Sequence, residues 1–566
     1  MAKLLTVNLE SGRSTPEDLG PDLARLGGRG LSSTVIGERV DPKTDPLGPG
    51  NLFILAGGVL AGTPIPNSGR LSVGGKSPLT GGIKEANAGG TPARKLANLG
   101  IRGVVFEGQA TKPSIVVINA DGVTIKPAGE LWGLGAYATI DRLRAAYGDK
   151  IGIVCCGPAG EMLYKNSAVI TTTHDFYPRT ASRGGLGSVM GSKKLKAIVI
   201  DDMGERKVEM ADMQTVRRAA SVLSNGIRSD PIMHYLRDNG SGMLVTIADH
   251  LECLATKNFS AGQFAENYEI SGEKVAWLSK ERPNMRMGHH CMPECIVHCS
   301  TIFADAAGNY VTSGFEFESL ALMGSNCMIS DLDMLAKMDR LCDDLGIDTI
   351  ETGGAIGVAM EAGLIPWGDA EGAYNLIQEV QRGTKNGKLI GNGCLTTGKA
   401  LGVSRIPVVK GQGISAWEPR VLKATGVTYA TSPMGADHTC GNALPSMGYD
   451  PHVAEGQAKK SLDLQRYWAG IDSTGMCLYP SLTIDNKVML SKKLVEAIGA
   501  VLGEDLPDGY VRDLGREVLA VEVDFNRRAG FTRKDDRLPT FMVEEQVPPS
   551  GYWFDVSEED LDSVFP

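Results

Sequence analysis

The chain has no lysine- or arginine-rich run, and acid outweighs base, with 67 Asp and Glu against 57 Lys and Arg for a formal net charge of −10. It therefore lacks the electrostatic footprint of a nucleic-acid binder. No stretch approaches the roughly 18 consecutive apolar residues that span a bilayer. The opening MAKLLTVNLESG carries no apolar core ahead of a small-residue cleavage site, so neither membrane nor export is expected and the expected location is cytoplasmic. Internal repeats and low-complexity segments are missing too. So is the G-x-x-x-x-G-K-[ST] phosphate loop, and GGLGSVMG is not clearly set in a βαβ unit, which argues against the two common nucleotide fingerprints. What remains is a globular protein of 566 residues, 42% apolar and 22% charged, long enough for two to four domains at about 100–200 residues each.

Cysteine is plentiful, at 11 residues, and a reducing cytosol favours thiols or metal ligands over disulfides. Cys291, Cys295 and Cys299 stand four apart in GHHCMPECIVHCS, and Cys477 follows far downstream in IDSTGMCLYP. Four thiolates of this kind suit a [4Fe–4S] cluster. Two other readings stay open. Zinc could take the thiolates together with His289, His290 or His298. Buried packing is the third, because cysteine behaves as a small hydrophobe in cores. On a helix the three sulfurs would share one stripe, drifting about 40° per step, but Pro293 inside the trio favours a turn. The adjacent Cys155 and Cys156 read as strand packing.

Glycine is the other excess, at 71 residues, concentrated in the first two hundred positions. Glycine-rich turns let backbone N–H groups approach an anion, though tight turns between strands account for many of them. Arg70, Asn87, Arg179 and Arg183 are interleaved with these turns, and guanidinium groups pair with phosphate in bidentate fashion. Short apolar runs such as NLFILAGG, GVVFEG and KLKAIVID alternate with turn residues over 1–205, which predicts a β-rich domain. After the polar stretch DDMGERKVEMADMQ, helical periodicity dominates 206–420, with the cysteine trio between two of its helices. The remainder, 421–566, is also mainly helical. The expected fold class is α+β, a β-rich base followed by two mainly helical domains.

In order along the chain, GGRGLSSTVIGERV, TPIPNSGRLSVGGK, KEANAGG, SRGGLGSVMGSKKLKAI, GFEFES, DDLGIDTIETGG and IDSTGMCL resemble the tungsten-containing aldehyde:ferredoxin oxidoreductase family. The resemblance covers nearly the whole chain. It implies a bis-pterin tungsten (or molybdenum) cofactor, with Mg2+ bridging the pterin phosphates, beside one [4Fe–4S] cluster held by Cys291, Cys295, Cys299 and Cys477. It places pterin contacts on Arg70, Asn87, Gly89, Arg179, Thr180, Ser182 and Arg183. Two Asp-bearing segments join them, Asp343 to Asp348 and Asp472 to Cys477, the latter including Met476.

The same resemblance implies Glu318 as the catalytic carboxylate, with Glu316 on the same face if GFEFES is a strand. A buried carboxylate of this kind can serve as a general base. Two departures stand out. The family's C-x-x-C-x-x-x-C trio is here C-x-x-x-C-x-x-x-C, which makes Cys291 the ligand to check first. The family's assisting histidine falls on Thr425, which leaves His438 and His250 as candidate proton-handling partners. Lys337 and Arg340 occupy positions that hold a bridging iron in one family member, so any oligomer is expected without that metal. The expected activity is oxidation of an aldehyde, with ferredoxin or a partner iron–sulfur subunit taking the electrons. The alternatives are a low-potential reductase of the benzoyl-coenzyme A reductase type and a non-catalytic electron-transfer subunit.

Overall fold

Alternating side chains in the first two hundred residues build two six-stranded sheets around a shared core. The computed structural model describes residues 2–204, 208–444 and 449–565. The first sheet holds β1 (Lys3–Asn8), β2 (Ser14–Asp18), β3 (Phe53–Gly57), β4 (Leu71–Lys76), β5 (Ile83–Ala88) and β6 (Ile101–Glu107), in the order β2-β1-β6-β3-β4-β5. The second holds β7 (Ser114–Asn119), β8 (Gly122–Pro127), β9 (Gly152–Cys156), β10 (Val169–Thr172), β11 (Pro178–Ala181) and β12 (Leu195–Ile200), in the order β11-β10-β9-β12-β7-β8. Phe53 and Leu55 of β3 meet Val154 and Cys156 of β9 in one apolar cluster between the sheets. Their neighbours Ile153 and Cys155 turn the other way, onto Ile140 and Leu143 of the helix Ala136–Tyr147. That alternation explains why both adjacent cysteines are buried, as strand packing requires.

The opposite face of the first sheet is covered by the helix Gly28–Arg39, which lies against the helices Gln457–Thr474 and Tyr510–Ala529. Their approach is close. Gly28 has φ of +46°, and a β-carbon there would lie 2.1 Å from the carbonyl oxygen of Asp472, so only glycine fits. Farther along, aspartates start the helices Met213–Arg228, Leu332–Leu345 and Thr349–Glu361, with Asp212, Asp331 and Asp348 accepting from first-turn N–H groups. These are ordinary N-caps. Among the described residues no helix is long and apolar enough to cross a membrane.

The architecture is the expected α+β arrangement, a β-sheet base followed by mainly helical domains, with a correction and two additions, one of them the short pair Val408–Val409 and Gln412–Gly413. Within the expected helical stretch, β13 (Arg286–His289), β14 (Ser300–Ala304) and β15 (Tyr310–Ser313) form a small antiparallel sheet. Its strands are short, and both pairings carry register irregularities, so no clean period of two marks them. The cysteine trio occupies the turns between β13 and β14 and forms no helical stripe. The correction concerns GFEFES, which does not form a strand. Glu316 precedes the helix Phe317–Met323 without a side-chain bond to its first turn, where Glu318 sits; the Glu316 carboxylate accepts from Ser241 instead. The apolar-polar alternation there serves separate purposes: Phe315 packs on Phe303 and Phe317 on Trp417.

Candidate functional site

The expected cysteines come from two distant segments that meet at the first sheet. Cys291 raises the thiol pKa of Cys295 through a hydrogen bond and its charge, and its charge adds to the burial that raises Cys299 and Cys477; no cysteine forms a disulfide. Cys291 is the thiol held lowest, to about 6, first because Cys295 donates to it and also because Arg179 and Arg70 stand near. Burial pushes Cys299 well above the ordinary thiol range and Cys477 up to about 11. Cys291, the residue out of family register, therefore belongs to the group; its Sγ would lie 2.8 Å from a β-carbon at Gly89. Among the described residues no three His, Cys, Asp or Glu side chains converge closely enough to hold a single metal ion.

Arg70 joins this thiol group to one of the two aspartate segments. Its guanidinium hydrogen-bonds the side chain of Asn87 and donates to the Asn87 carbonyl at 2.8 Å, and Asn87 Nδ2 donates to Asp472 Oδ1 at 3.2 Å. Burial raises the pKa of Asp472 to about 6, with Arg29 and Arg70 pulling against it. Met476 is fully buried, and its N–H donates to Thr474 Oγ1 at 3.2 Å.

Arg179 serves the other segment. Its Nη atoms donate to Ser313 Oγ at 2.9 Å and Ser300 Oγ at 2.6 Å and reach His289 Nδ1 at 3.3 Å, while its buried Nε has no partner. Asp343 is lifted well above the carboxylate range by burial and by Asp339, with Arg179 opposing. The hydroxyls of Thr180 and Ser182 bond each other at 2.7 Å on the half-buried strand edge. Arg183 is enclosed by the helical part. It contacts Asp348 at 3.2 Å, Ser415 Oγ at 3.0 Å, the Ala436 carbonyl at 2.6 Å and the Gly413 carbonyl at 2.5 Å.

Glu318 lies beside this last network. It is 9% exposed, and Ala416 N–H donates to its Oε2 at 2.8 Å, while buried Oε1 has no hydrogen-bond partner. The nearest cation candidate is His438, whose Nε2 is 3.6 Å from Oε1. Burial raises the Glu318 pKa; His438, the Ala416 N–H and Arg183 oppose that shift. Ser415 Oγ bonds His438 Nδ1 at 3.1 Å. Because Ser415 also accepts from Arg183, its own proton can go to Nδ1, which leaves the Nε2–H facing the free carboxylate oxygen.

The remaining candidates are placed elsewhere. His250 is exposed at the end of the helix Met243–His250. Thr425 is stitched to Asn442 and Ala443, at 3.2 Å and 3.3 Å. Arg340 donates to the Val311 carbonyl at 2.7 Å and covers the Tyr137 ring at 4.0 Å, while Lys337 reaches Met334 Sδ at 3.8 Å.

The model for the N-terminal domain of aldehyde ferredoxin oxidoreductase matches residues 4–202, and the model for its domains 2 and 3 matches residues 218–563. The chain belongs to the aldehyde ferredoxin oxidoreductase family. It is similar to the tungsten-containing aldehyde ferredoxin oxidoreductases of Pyrococcus furiosus and Thermococcus kodakarensis, each 32% identical across 96% of this chain and 92% of the relative. The aliphatic sulfonate oxidoreductase WOR-like subunit of Pyrococcus furiosus is 26% identical over 97% of this chain and 90% of its own length. Among solved structures, the active-site complex of benzoyl coenzyme A reductase with 1,5-dienoyl-CoA shares the fold, with a TM-score of 0.81, 18% identity, and coverage of 100% of this chain and 93% of that chain. The chain is thus an oxidoreductase of the aldehyde ferredoxin oxidoreductase type.

Several buried charges beside these candidate residues carry no signal in the sequence. Lys84 on β5 pairs with Asp437 at 2.8 Å, the two side chains being 0% and 6% exposed. Burial opposes the charge on Asp437, but Lys84, Arg183 and His438 together hold it far below the carboxylate range. The pair pins the loop that presents His438. Glu351 accepts from Cys394 N–H at 2.8 Å and Gly413 N–H at 2.7 Å and stands 3.6 Å from Arg183. Arg29 is fully buried in a bidentate pair with Glu522, at 2.9 Å and 2.8 Å, and lies 3.4 Å from Asp472. In the sequence each is a lone charge, and only the fold reveals its partner.

Proposed function

We propose that the chain oxidises an aldehyde to the carboxylic acid, RCHO + H2O → RCOOH + 2e⁻ + 2H⁺, with Glu318 as the base. The Glu318–His438 pair carries this reading. A buried carboxylate with one oxygen fixed by a backbone N–H and the other unmet is costly unless a ligand or a proton meets it. Its raised pKa also suits proton abstraction near neutrality. An aldehyde hydrate placed against Oε1 would give up its proton there, and His438 would stabilise the charged form. A non-catalytic electron-transfer subunit would have no use for that unmet oxygen. The benzoyl-coenzyme A reductase alternative expects a cysteine in place of Glu318. Cys327 does not supply one, because its thiol donates into the core at the Leu322 and Gly353 carbonyls, 3.3 Å and 3.5 Å away.

The residues fit the family's cofactors. Glu318 Oε1 and Arg179 Nε are both buried without a hydrogen-bond partner, as atoms that await a ligand would be. Arg70, Asn87, Gly89, Asp472 and Met476 would hold one pterin, and Arg179, Thr180, Ser182, Arg183, Asp343 and Asp348 the other, with Mg2+ as a further expected ion. Cys291, Cys295, Cys299 and Cys477 would hold one [4Fe–4S] cluster, from which a ferredoxin or iron–sulfur partner would draw. When bound, the tungsten–pterin group would supply Lewis acidity and two-electron acceptance.

The test is aldehyde-dependent reduction of a viologen dye by anaerobically purified protein, with metals counted on the same sample. About four irons and one tungsten per chain, with turnover on at least one aliphatic, aromatic or heterocyclic aldehyde, support the proposal. Zinc without iron, or no turnover by fully metallated protein, ends it.

A further inference from the structure

The segment Ile65–Arg70 lies between the cysteine trio and Cys477, and a single buried residue in it bonds to both, through its side chain and its backbone. Asn67 is 0% exposed and has φ of +58°, a conformation that Asn adopts more readily than most residues. Its N–H donates to the Glu294 carbonyl at 2.8 Å, and its carbonyl accepts from Cys477 N–H at 2.8 Å. Its Oδ1 accepts from Ile296 N–H at 3.2 Å, which orients the amide so that Nδ2 donates to Cys295 Sγ at 3.4 Å. His298 N–H gives Cys295 a second donor at 3.3 Å. Asn67 thus bonds the residue before Cys295, the residue after it, the sulfur itself and the backbone of Cys477. The neighbouring Arg70 N–H donates to the Gly475 carbonyl at 3.1 Å, so the whole segment acts as a splint between loops that are 178 or more positions apart in the chain (477 − 299).

We propose that Asn67 is the positioning residue of the iron–sulfur site: its backbone sets the trio and Cys477 in register, and its Nδ2–H···Sγ bond to Cys295 raises the reduction potential there. The physical reason is general. An N–H donor to a ligating sulfur stabilises the more negative, reduced state, and hydrogen bonds to sulfur are among the determinants of cluster potential. Oδ1 cannot be exchanged for a second donor, because Ile296 N–H would lose its acceptor. The inference rests on the cluster assignment above, and the experiment keeps the two apart.

Asn67→Asp retains the Oδ1 acceptor and tolerates the positive φ, but sets a carboxylate oxygen against Cys295. Asn67→Gly keeps both backbone bonds and the φ while removing both side-chain bonds. Iron and acid-labile sulfide are counted first on the unsubstituted protein, and the midpoint potential is then read by EPR-monitored titration. The expected result is a midpoint that falls in Asn67→Gly and falls further in Asn67→Asp. Iron loss to a chelator should quicken by roughly thirtyfold in Asn67→Gly, the rate ratio of about two hydrogen bonds. Wild-type midpoints and wild-type iron retention in both variants, with iron present, overturn the role of Asn67 alone. No iron in the unsubstituted protein overturns the cluster assignment and this inference together. If neither variant folds, pulsed EPR on unsubstituted protein labelled with 15N in asparagine decides. Coupling of the reduced cluster to an asparagine side-chain nitrogen supports the proposal, and its absence overturns it.

Discussion

The cysteine end and the carboxylate end of this site are held by different forces. Around Cys295 and Cys477 the fixed points are backbone and amide bonds between loops, centred on Asn67. Around Glu318 they are buried charges, namely Lys84 with Asp437 and Arg183 with Asp348, with Glu351 close by. The contrast suits the tasks. Thiolates need N–H donors near sulfur and loops that can adopt left-handed backbone, whereas a base needs a rigid electrostatic frame that sets its pKa. Deleting a group should therefore have unequal consequences. At the carboxylate end it strands a buried charge, and at the cysteine end it removes about one hydrogen bond.

Glu318→Gln is expected to have the largest effect. Turnover should fall by roughly 10²–10⁴-fold, the worth of a positioned base, while iron and tungsten per chain stay unchanged. Unchanged turnover would remove Glu318 from its role and leave the carboxylate end with a structural purpose only. The same residue fixes a pH signature. Burial raises its pKa, so the basic form is lost as pH falls through a value above the usual range of about 4.3, and the acid limb of kcat/KM should lie there. His438 opposes the rise, so His438→Gln should move that limb to still higher pH.

Lys84→Met comes next. Removing one member of a buried pair typically costs about 3–5 kcal/mol, because Asp437 loses its direct cation partner and keeps only Arg183, His438 and Thr439 to offset its buried charge. Thermal unfolding should show it, and adding Asp437→Leu should restore part of the loss. A double variant no better than the single one would mean that the pair is not acting as a pair.

The two ends also differ in how well they could be read from the sequence. The glycine turns, the strand runs and the thiol spacing are local patterns, and Cys155 with Cys156 shows how faithfully a strand's alternation survives into the core. On a strand Glu316 and Glu318 would share a face, yet FESLALM forms a helix with Glu316 at its N-terminal boundary. Local alternation lost to the helix-forming residues that follow. Asn67, Lys84 and Glu351 are illegible for another reason: their partners lie tens to hundreds of positions away, and a lone Asn, Lys or Glu has no period. Register between distant segments is a property of packing, so a network of buried charges stays hidden until the fold is known.

At the cysteine end the largest expected loss is smaller. Asp175 accepts from His289 at 2.9 Å, two residues before Cys291. Asp175→Asn should cost about 1–2 kcal/mol, the value of a charge-assisted bond reduced for its partial exposure. Burial works against the charge, but His289 and Thr173 hold the Asp175 pKa well below the carboxylate range. The sign follows from that depression. The stability exists above the ordinary carboxylate pKa of about 3.9 and is lost as pH falls through the depressed value. Denaturant unfolding of both proteins at neutral pH and in strong acid should show the gap and then its closure.

The smallest expected effect lies outside both ends and calibrates them. Asp331 accepts from Asp333 and Met334 N–H groups, each at 3.0 Å, and starts the helix that carries Asp343. Asp331→Ala should cost about 1 kcal/mol, as loss of an N-cap does, without moving the midpoint potential or the acid limb of the rate. The cap sits at the far end of that helix from Asp343, and the exposed first turn can rehydrate. If this substitution shifted either the potential or the pH profile, the helix would be transmitting strain to the site. The division of labour between an amide-bonded cysteine end and a charge-framed carboxylate end would then fail, because both would depend on one shared support.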